Sequence, residues 1–188
     1  MRKFWVACLL VSSLVLPALS AYADDDSDTV ELFKNAGASA AFFNSSYGYA
    51  VFPTIGKGGF VVGGAYGSGR VYQKGNYVGD TSMTQVSVGF QMGGQAYSEI
   101  IFFQDQRAFN EFTSGNFTFS GNVSAVAITA GASASAGTGG STAGASGGKK
   151  DATTAGEYQK GLAVFTIAKG GLMYEASVAG QKFTYKPK

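Results

Sequence analysis

Two short basic segments carry the residues of this chain best suited to chemistry. Lys57-Gly58-Gly59 and Lys169-Gly170-Gly171 each set a cation beside backbone that bears no side chains. Successive glycine N–H groups can line a concavity for an oxyanion while the lysine adds a point charge, so the pattern suits a phosphate or a lipid headgroup. Arg70 and Lys74, a little further along the chain, offer two more cations. A hairpin turn that needs glycine, with its lysine in solvent, accounts for the same residues without any ligand.

The two segments close the copies of a longer repeat. Ala50-Val51-Phe52-Pro53-Thr54-Ile55-Gly56-Lys57-Gly58-Gly59-Phe60 matches Ala163-Val164-Phe165-Thr166-Ile167-Ala168-Lys169-Gly170-Gly171-Leu172, with only Pro53 unmatched. Two copies are too few for a solenoid. The expectation is two related hairpins in one sheet, each turning at Lys-Gly-Gly, with further turns at Gly67 to Gly69 and at Gly180. If the two turns meet, Lys57 and Lys169 form one two-lysine cradle.

Other chemistry is limited by what the chain lacks. It has 188 residues, no His, one Cys, 28 Gly, 15 Phe and 10 Tyr. Without His, a Ser/His/Asp triad and His ligation of zinc or haem are excluded. Among carboxylates, Glu99 and Glu175 sit in apolar runs, and an acid-base pair for glycoside hydrolysis is conceivable there, but ion pairing at strand ends is the more ordinary role. Gly64, Gly67 and Gly69 lie between strands, and Gly147-Gly148-Lys149-Lys150 lacks the Ser/Thr and helix of a phosphate-binding loop. The expectation is a non-enzymatic protein with no metal and no cofactor.

The N-terminus reads as an export signal. Arg2 and Lys3 precede an apolar run from Phe4 to Leu16, followed by Ala21-Tyr22-Ala23, the charged, apolar and small-residue order of a secretory leader. Residues 1–23 are therefore expected to be removed, leaving one domain over residues 24–188 in the periplasm or at the outer-membrane periphery. That segment holds the only Cys and the only Trp. Removal lowers the formal charge from +2 to zero, yet from Leu32 onward twelve Lys/Arg face seven Asp/Glu. The body is mildly basic behind an acidic leader of Asp24, Asp25, Asp26, Asp28 and Glu31. No dense Lys/Arg stripe supports nucleic-acid binding.

The elements that must position these groups are mainly strands. Residues 28 to 43 read as a helix capped by Asp28, with Val30, Phe33, Gly37, Ala40 and Phe43 along the face packed on a sheet. Short β-prone runs follow at Tyr49 to Phe52, Phe60 to Tyr66 and Arg70 to Gln73. Thr84, Val86, Val88, Phe90 and Met92 alternate with Met83, Gln85, Ser87, Gly89 and Gln91, as in a half-buried antiparallel strand. Glu99 to Phe103 should be covered on both faces. A short helix from Asp105 to Phe112, capped by Asp105 and stopped by Gly115, buries Ala108, Phe109 and Phe112. Strands resume at Phe117 to Phe119, Val123 to Ala130, Leu162 to Ile167, Leu172 to Val178 and Lys182 to Tyr185. The Gly/Ala/Ser/Thr stretch from 137 to 150 is expected to be a flexible loop. So many glycines in strands favour a strongly curved or barrel-like antiparallel sheet, giving an α+β, mainly β, single domain with an N-terminal helix and a short mid-chain helix.

In combination these motifs resemble the SYLF domain family, also called the Ysc84 or Las17-binding actin-regulator family, in its secreted bacterial form. The resemblance runs from about Val30 to Tyr185. It rests on Gly48-Tyr49-Ala50-Val51-Phe52-Pro53 through Lys57-Gly58-Gly59-Phe60, Gly63-Gly64-Ala65-Tyr66-Gly67, Gly89-Phe90-Gln91-Met92-Gly93-Gly94-Gln95, and Lys169-Gly170-Gly171-Leu172-Met173-Tyr174-Glu175. It implies a lipid-binding module whose partner is a phospholipid membrane surface; actin binding is not expected outside a cytoplasm. The alternatives are an envelope structural or stress-related protein that binds another protein, and a small outer-membrane β-barrel, against which the Lys186-Pro187-Lys188 ending counts.

Overall fold

The computed structural model describes residues 19–59, 62–88, 95–119, 125–128, 157–169 and 178–188. Its N-terminal part is helical in three pieces, α1 (Leu19–Asn35), α2 (Gly37–Ala40) and α3 (Phe42–Ser45). Strands β1 (Gly48–Gly59), β2 (Val62–Gln73), β3 (Asn76–Val88) and β4 (Gln95–Phe103) follow, then α4 (Gln106–Phe112), β5 (Asn116–Thr118), β6 (Ala125–Ile128), β7 (Leu162–Lys169) and β8 (Lys182–Pro187). All eight strands form one sheet in the order β5-β8-β3-β2-β1-β4-β7-β6. Every pairing is antiparallel except β6 with β7, which is parallel.

Strand alternation sends apolar side chains to both faces, so both need cover. On one face, Phe52, Ile55, Val71, Met83, Tyr97, Ile101, Phe103, Val164 and Phe183 form a cluster closed by Phe109 and Phe112 of α4. This face is concave. The Phe52 and Phe183 rings lie 5.7 Å apart although β2 and β3 separate their strands, and three strand spacings in a flat sheet are about 14 Å. Small residues make the curl possible. Ala65, Gly67, Gly69 and Val71 are the inward positions of β2, and a Cβ on Gly69 would run into the Val51 carbonyl and the Phe52 ring.

The outer face is covered along part of its length by the helices. Val30 and Phe33 of α1 join Val51, Ile100, Phe102, Phe165 and Ile167 in a second buried cluster. The expected continuous helix over 28 to 43 is broken, because Ala36 is extended, with ψ 114°, and Ser39 turns inward to donate to the Phe33 carbonyl at 2.6 Å. The break lets Phe42 and Phe43 both reach the sheet, at 5.5 and 4.9 Å from the Phe102 ring. Gly37 is exposed rather than on the packed face, and Asp28 lies inside α1 rather than at its cap. By contrast α4 is as read: Asp105 Oδ1 accepts from the Ala108 N–H at 2.9 Å, and Gly115 follows at φ +104°.

Topology refines where the first copy of the repeat turns. It does form a hairpin, but β1 and β2 pair through Gly59↔Gly63, so Lys57 lies within the strand, opposite Ala65 and Gln95. The second expected hairpin, from Leu162 to Ile167 back through Leu172 to Val178, lies largely outside the described residues; of its flanks, β7 pairs with β4 and β6, and β8 with β3 and β5. Gly67 and Gly69 are interior to β2 rather than a turn, whereas Lys74 and Gly75, at φ +48° and +81°, form the tight two-residue turn into β3. Pro53, the residue unmatched in the repeat, sits where the register slips between Phe52 and Ile55, and its carbonyl accepts from the Ser98 hydroxyl at 2.7 Å. A bulge is where a proline fits inside a sheet. The β3 alternation holds with its faces exchanged: Met83 and Gln85 are buried and Val86 is 76% exposed. Gly170, Gly171, Glu175, the stretch 137 to 150, and the proposed leader before Leu19 lie outside the described residues.

Candidate anionic-surface site

Register fixes where each basic residue stands. Gly56 and Lys57 of β1 face Ala96 and Gln95 of β4, and Ala96 in turn faces Lys169 of β7. Lys57 and Lys169 are therefore at the same end of the sheet, the end where β1 stops. Residues directly opposite one another share a face and successive residues alternate. Lys57 follows Ile55 onto the concave side, and Lys169 follows Ile167 onto the outer side, where its ammonium donates to Thr54 Oγ1 at 2.7 Å. The pair thus shares an end without sharing a face. Gly58, beside Lys57, has open space where a side chain would stand.

The other two expected cations are elsewhere. Arg70 lies further along β2, 3.0 Å from the carboxylate of Asp26 on α1 and over the Tyr77 ring at 5.3 Å. It fastens the helix to the sheet. Lys74 is in the turn at the opposite end, its ammonium 5.5 Å from the Tyr47 ring.

Sequence reasoning missed a row of outward residues that the register assembles at the Lys169 end. Lys182, Thr84, Tyr66, Gly56, Ala96 and Lys169 are consecutive cross-strand neighbours over β8, β3, β2, β1, β4 and β7. Tyr66 is 58% exposed. The next outward row toward the strand tips is Val86, Gly64 and Gly58. Away from the strand tips, on the same outward face, lies a hydroxyl row, with Ser82 and Thr184 oxygens 2.7 Å apart and Ser68 3.2 Å from the Tyr66 hydroxyl. The described rows from Thr54 to Gly59 contain no carboxylate. Asp80 stands in the other half of β3, Asp105 and Glu111 at α4, Glu157 ahead of β7, and Asp25, Asp28 and Glu31 in α1. Period-two spacing in single strands carried part of this signal, but only the register shows that Lys182 and Tyr66 share a row.

Among the described residues two carboxylates are buried. Asp26 is raised to about 6 by burial, against the opposing pull of Arg70. Glu99 is raised to about 7 by burial, with a bond from Gln181 Nε2 at 3.0 Å drawing it back down. Glu99 faces into the concave core between Phe52 and Thr166, so it makes no strand-end ion pair. Glu99 Oε1, Gln181 Oε1 and Thr166 Oγ1 have no hydrogen-bond partner among the described residues. Among the described residues no second acid stands beside Glu99, and Glu175, its partner in the acid-base reading, lies outside them. Among the described residues, no three His, Cys, Asp or Glu gather to hold a metal.

A single curled sheet, covered in part by helices, defines an α+β, mainly β, domain. The chain belongs to the Ysc84 family, described as Las17-binding protein actin regulator, whose model matches residues 84–187. It is also 26% identical over 162 residues to Beta cell expansion factor A of Aeromonas veronii, an alignment covering 84% of this chain and 53% of that protein. The chain thus spans about half the length of that curated relative.

Proposed function

We propose that the protein is a non-enzymatic phospholipid-binding protein, exported to the bacterial cell envelope, where it associates reversibly with a membrane surface. The observation that carries this reading is an end of the sheet free of acids: the tips of β1, β7 and β8 place Lys57, Lys169 and Lys182 at one end, with no carboxylate beside them among the described residues. Lysines near an anionic surface are each drawn to it by about 1 kcal/mol. Lys57 and Lys169 supply point charges from the two faces of this end, and the glycines beside Lys57 leave backbone open to a headgroup oxygen. Arg70 and Lys74 take no direct part, one being held by Asp26 and the other standing at the far end.

The outer-membrane-barrel reading is disfavoured, because the concave side is filled with phenylalanine and part of the outer face lies under helices. No helix among the described residues is long and apolar enough to cross a membrane. The family description names a protein partner, which keeps a protein-binding envelope component as the second reading. Flotation of residues 24–188 with phosphatidylcholine vesicles, with and without phosphatidylglycerol, tests the proposal. Binding that requires phosphatidylglycerol and weakens with salt is expected; absence of binding at low salt overturns it.

A further inference from the structure

We propose that the outward face of the Lys169 end, and not its concave side, is the surface that meets anionic lipid, with Tyr66 and Val86 entering the headgroup layer between Lys169 and Lys182. The inference rests on the membrane-binding reading above and adds to it an orientation and two apolar contacts. Large exposed apolar side chains are few among the described residues: Leu32 on α1, and Tyr66 and Val86, which stand on adjacent outward rows of β2 and β3. Among the described residues their surroundings are low: Gly56, Gly58 and Gly64 present backbone and Ala96 only a methyl group, so none of these neighbours rises as far as Tyr66 and Val86.

Tyrosine is suited to that layer because its ring is apolar and its hydroxyl is polar. Here the hydroxyl already lies near Ser68, in a belt of Thr54, Ser68, Ser82 and Thr184 that can hydrogen-bond headgroup oxygens. Lys169 and Lys182 bracket the row across five strand spacings, about 24 Å along the sheet. That exceeds the Debye length of about 8 Å at physiological salt, so the two charges act on different lipids and their effects should multiply. Lys169 is held toward this face by Thr54, a neutral partner that leaves its charge in place. Lys57 leaves from the other side of the sheet, beside Ile55 and the phenylalanine core, so it adds long-range attraction to the same surface without standing in the outward row.

Vesicle titrations of residues 24–188 with phosphatidylcholine/phosphatidylglycerol membranes test this. The Lys169→Gln/Lys182→Gln pair should weaken binding by roughly 25-fold, about fivefold for each lysine, and flatten the salt dependence. Tyr66→Ser/Val86→Ser should remove the part of binding that survives high salt. Lys186→Gln/Lys188→Gln, at the opposite end, should bind as the wild type, and circular dichroism melts confirm that all variants fold. If the wild type binds while both outward variants bind equally well, or if Lys57→Gln alone abolishes binding, the outward orientation is wrong although lipid binding stands. If the wild type binds no vesicle, both the reading and the orientation fall.

Discussion

Among the described residues one carboxylate is buried on each side of the sheet, and the two are met differently. Asp26, beneath the outer helices, is met by the Arg70 guanidinium at 3.0 Å. Glu99, within the concave core, is met among the described residues by a neutral amide, Gln181 Nε2. A buried charge is tolerated when paired, and an unpaired acid holds its proton instead. The outer carboxylate therefore works as an ionic fastener for α1. The inner one is a neutral acid until the pH approaches its raised value.

The largest effect should come from cutting the fastener. Arg70→Met leaves Asp26 buried without a cation and should cost about 3–5 kcal/mol at about pH 8. The cost should shrink at about pH 5, where Asp26, already raised to about 6, takes up a proton. Urea denaturation at the two pH values measures it, and equal losses would mean that Asp26 is not charged in the native state.

Glu99→Gln probes the other side with the opposite sign. Glu99 is raised from 4.5 to about 7, so its contribution is complete below pH 4.5, where both folded and unfolded chains are protonated. It is lost as pH rises to about 7, because the unfolded chain gives up its proton first. The difference amounts to about 3 kcal/mol. The amide variant should thus be more stable than the wild type by about that much at about pH 8 and equal to it at about pH 4, as thermal melts across pH would show.

The smallest change is expected from Gln181→Met, which removes the single bond to Glu99 and the 3.4 Å contact with the Tyr97 hydroxyl. About 1–3 kcal/mol should be lost. Because that bond favours ionised Glu99, the midpoint of the pH-dependent loss should also move upward. A downward shift would show that another group stabilises the carboxylate.

Much of the fold is legible in the sequence where a local rule governs it. Asp105 three residues before a backbone N–H and Gly115 just after the turn define α4, and the continuous apolar run at Glu99 to Phe103 signals cover on both faces. The density of glycine announces curvature. What local rules miss is pairing over distance. Nothing between Leu162 and Tyr185 reveals that β7 and β8 join different neighbours, since both parities of β7 are apolar and fit either arrangement. The exposure of Val86 is hidden for a related reason. The inward positions of β3 go to Met83 and Gln85 because the concave side needs Met83 beside Phe183 and an amide for the Ala179 carbonyl. The candidate site was half visible: its end of the sheet follows from the lysines, but its face depends on register.

The slip at Pro53 has a consequence for ancestry and engineering. Ala50 and Phe52 look inward while Ala163 and Phe165, their counterparts in the repeat, look outward, and the two strings stay in opposite phase to Lys57 and Lys169. The extra proline is absorbed without resetting that phase. The same string has been used right side up and upside down, with the neighbouring strands choosing the side. Moving a charge from one side of this sheet to the other therefore requires no substitution, only one residue inserted or removed where the ladder does not absorb it.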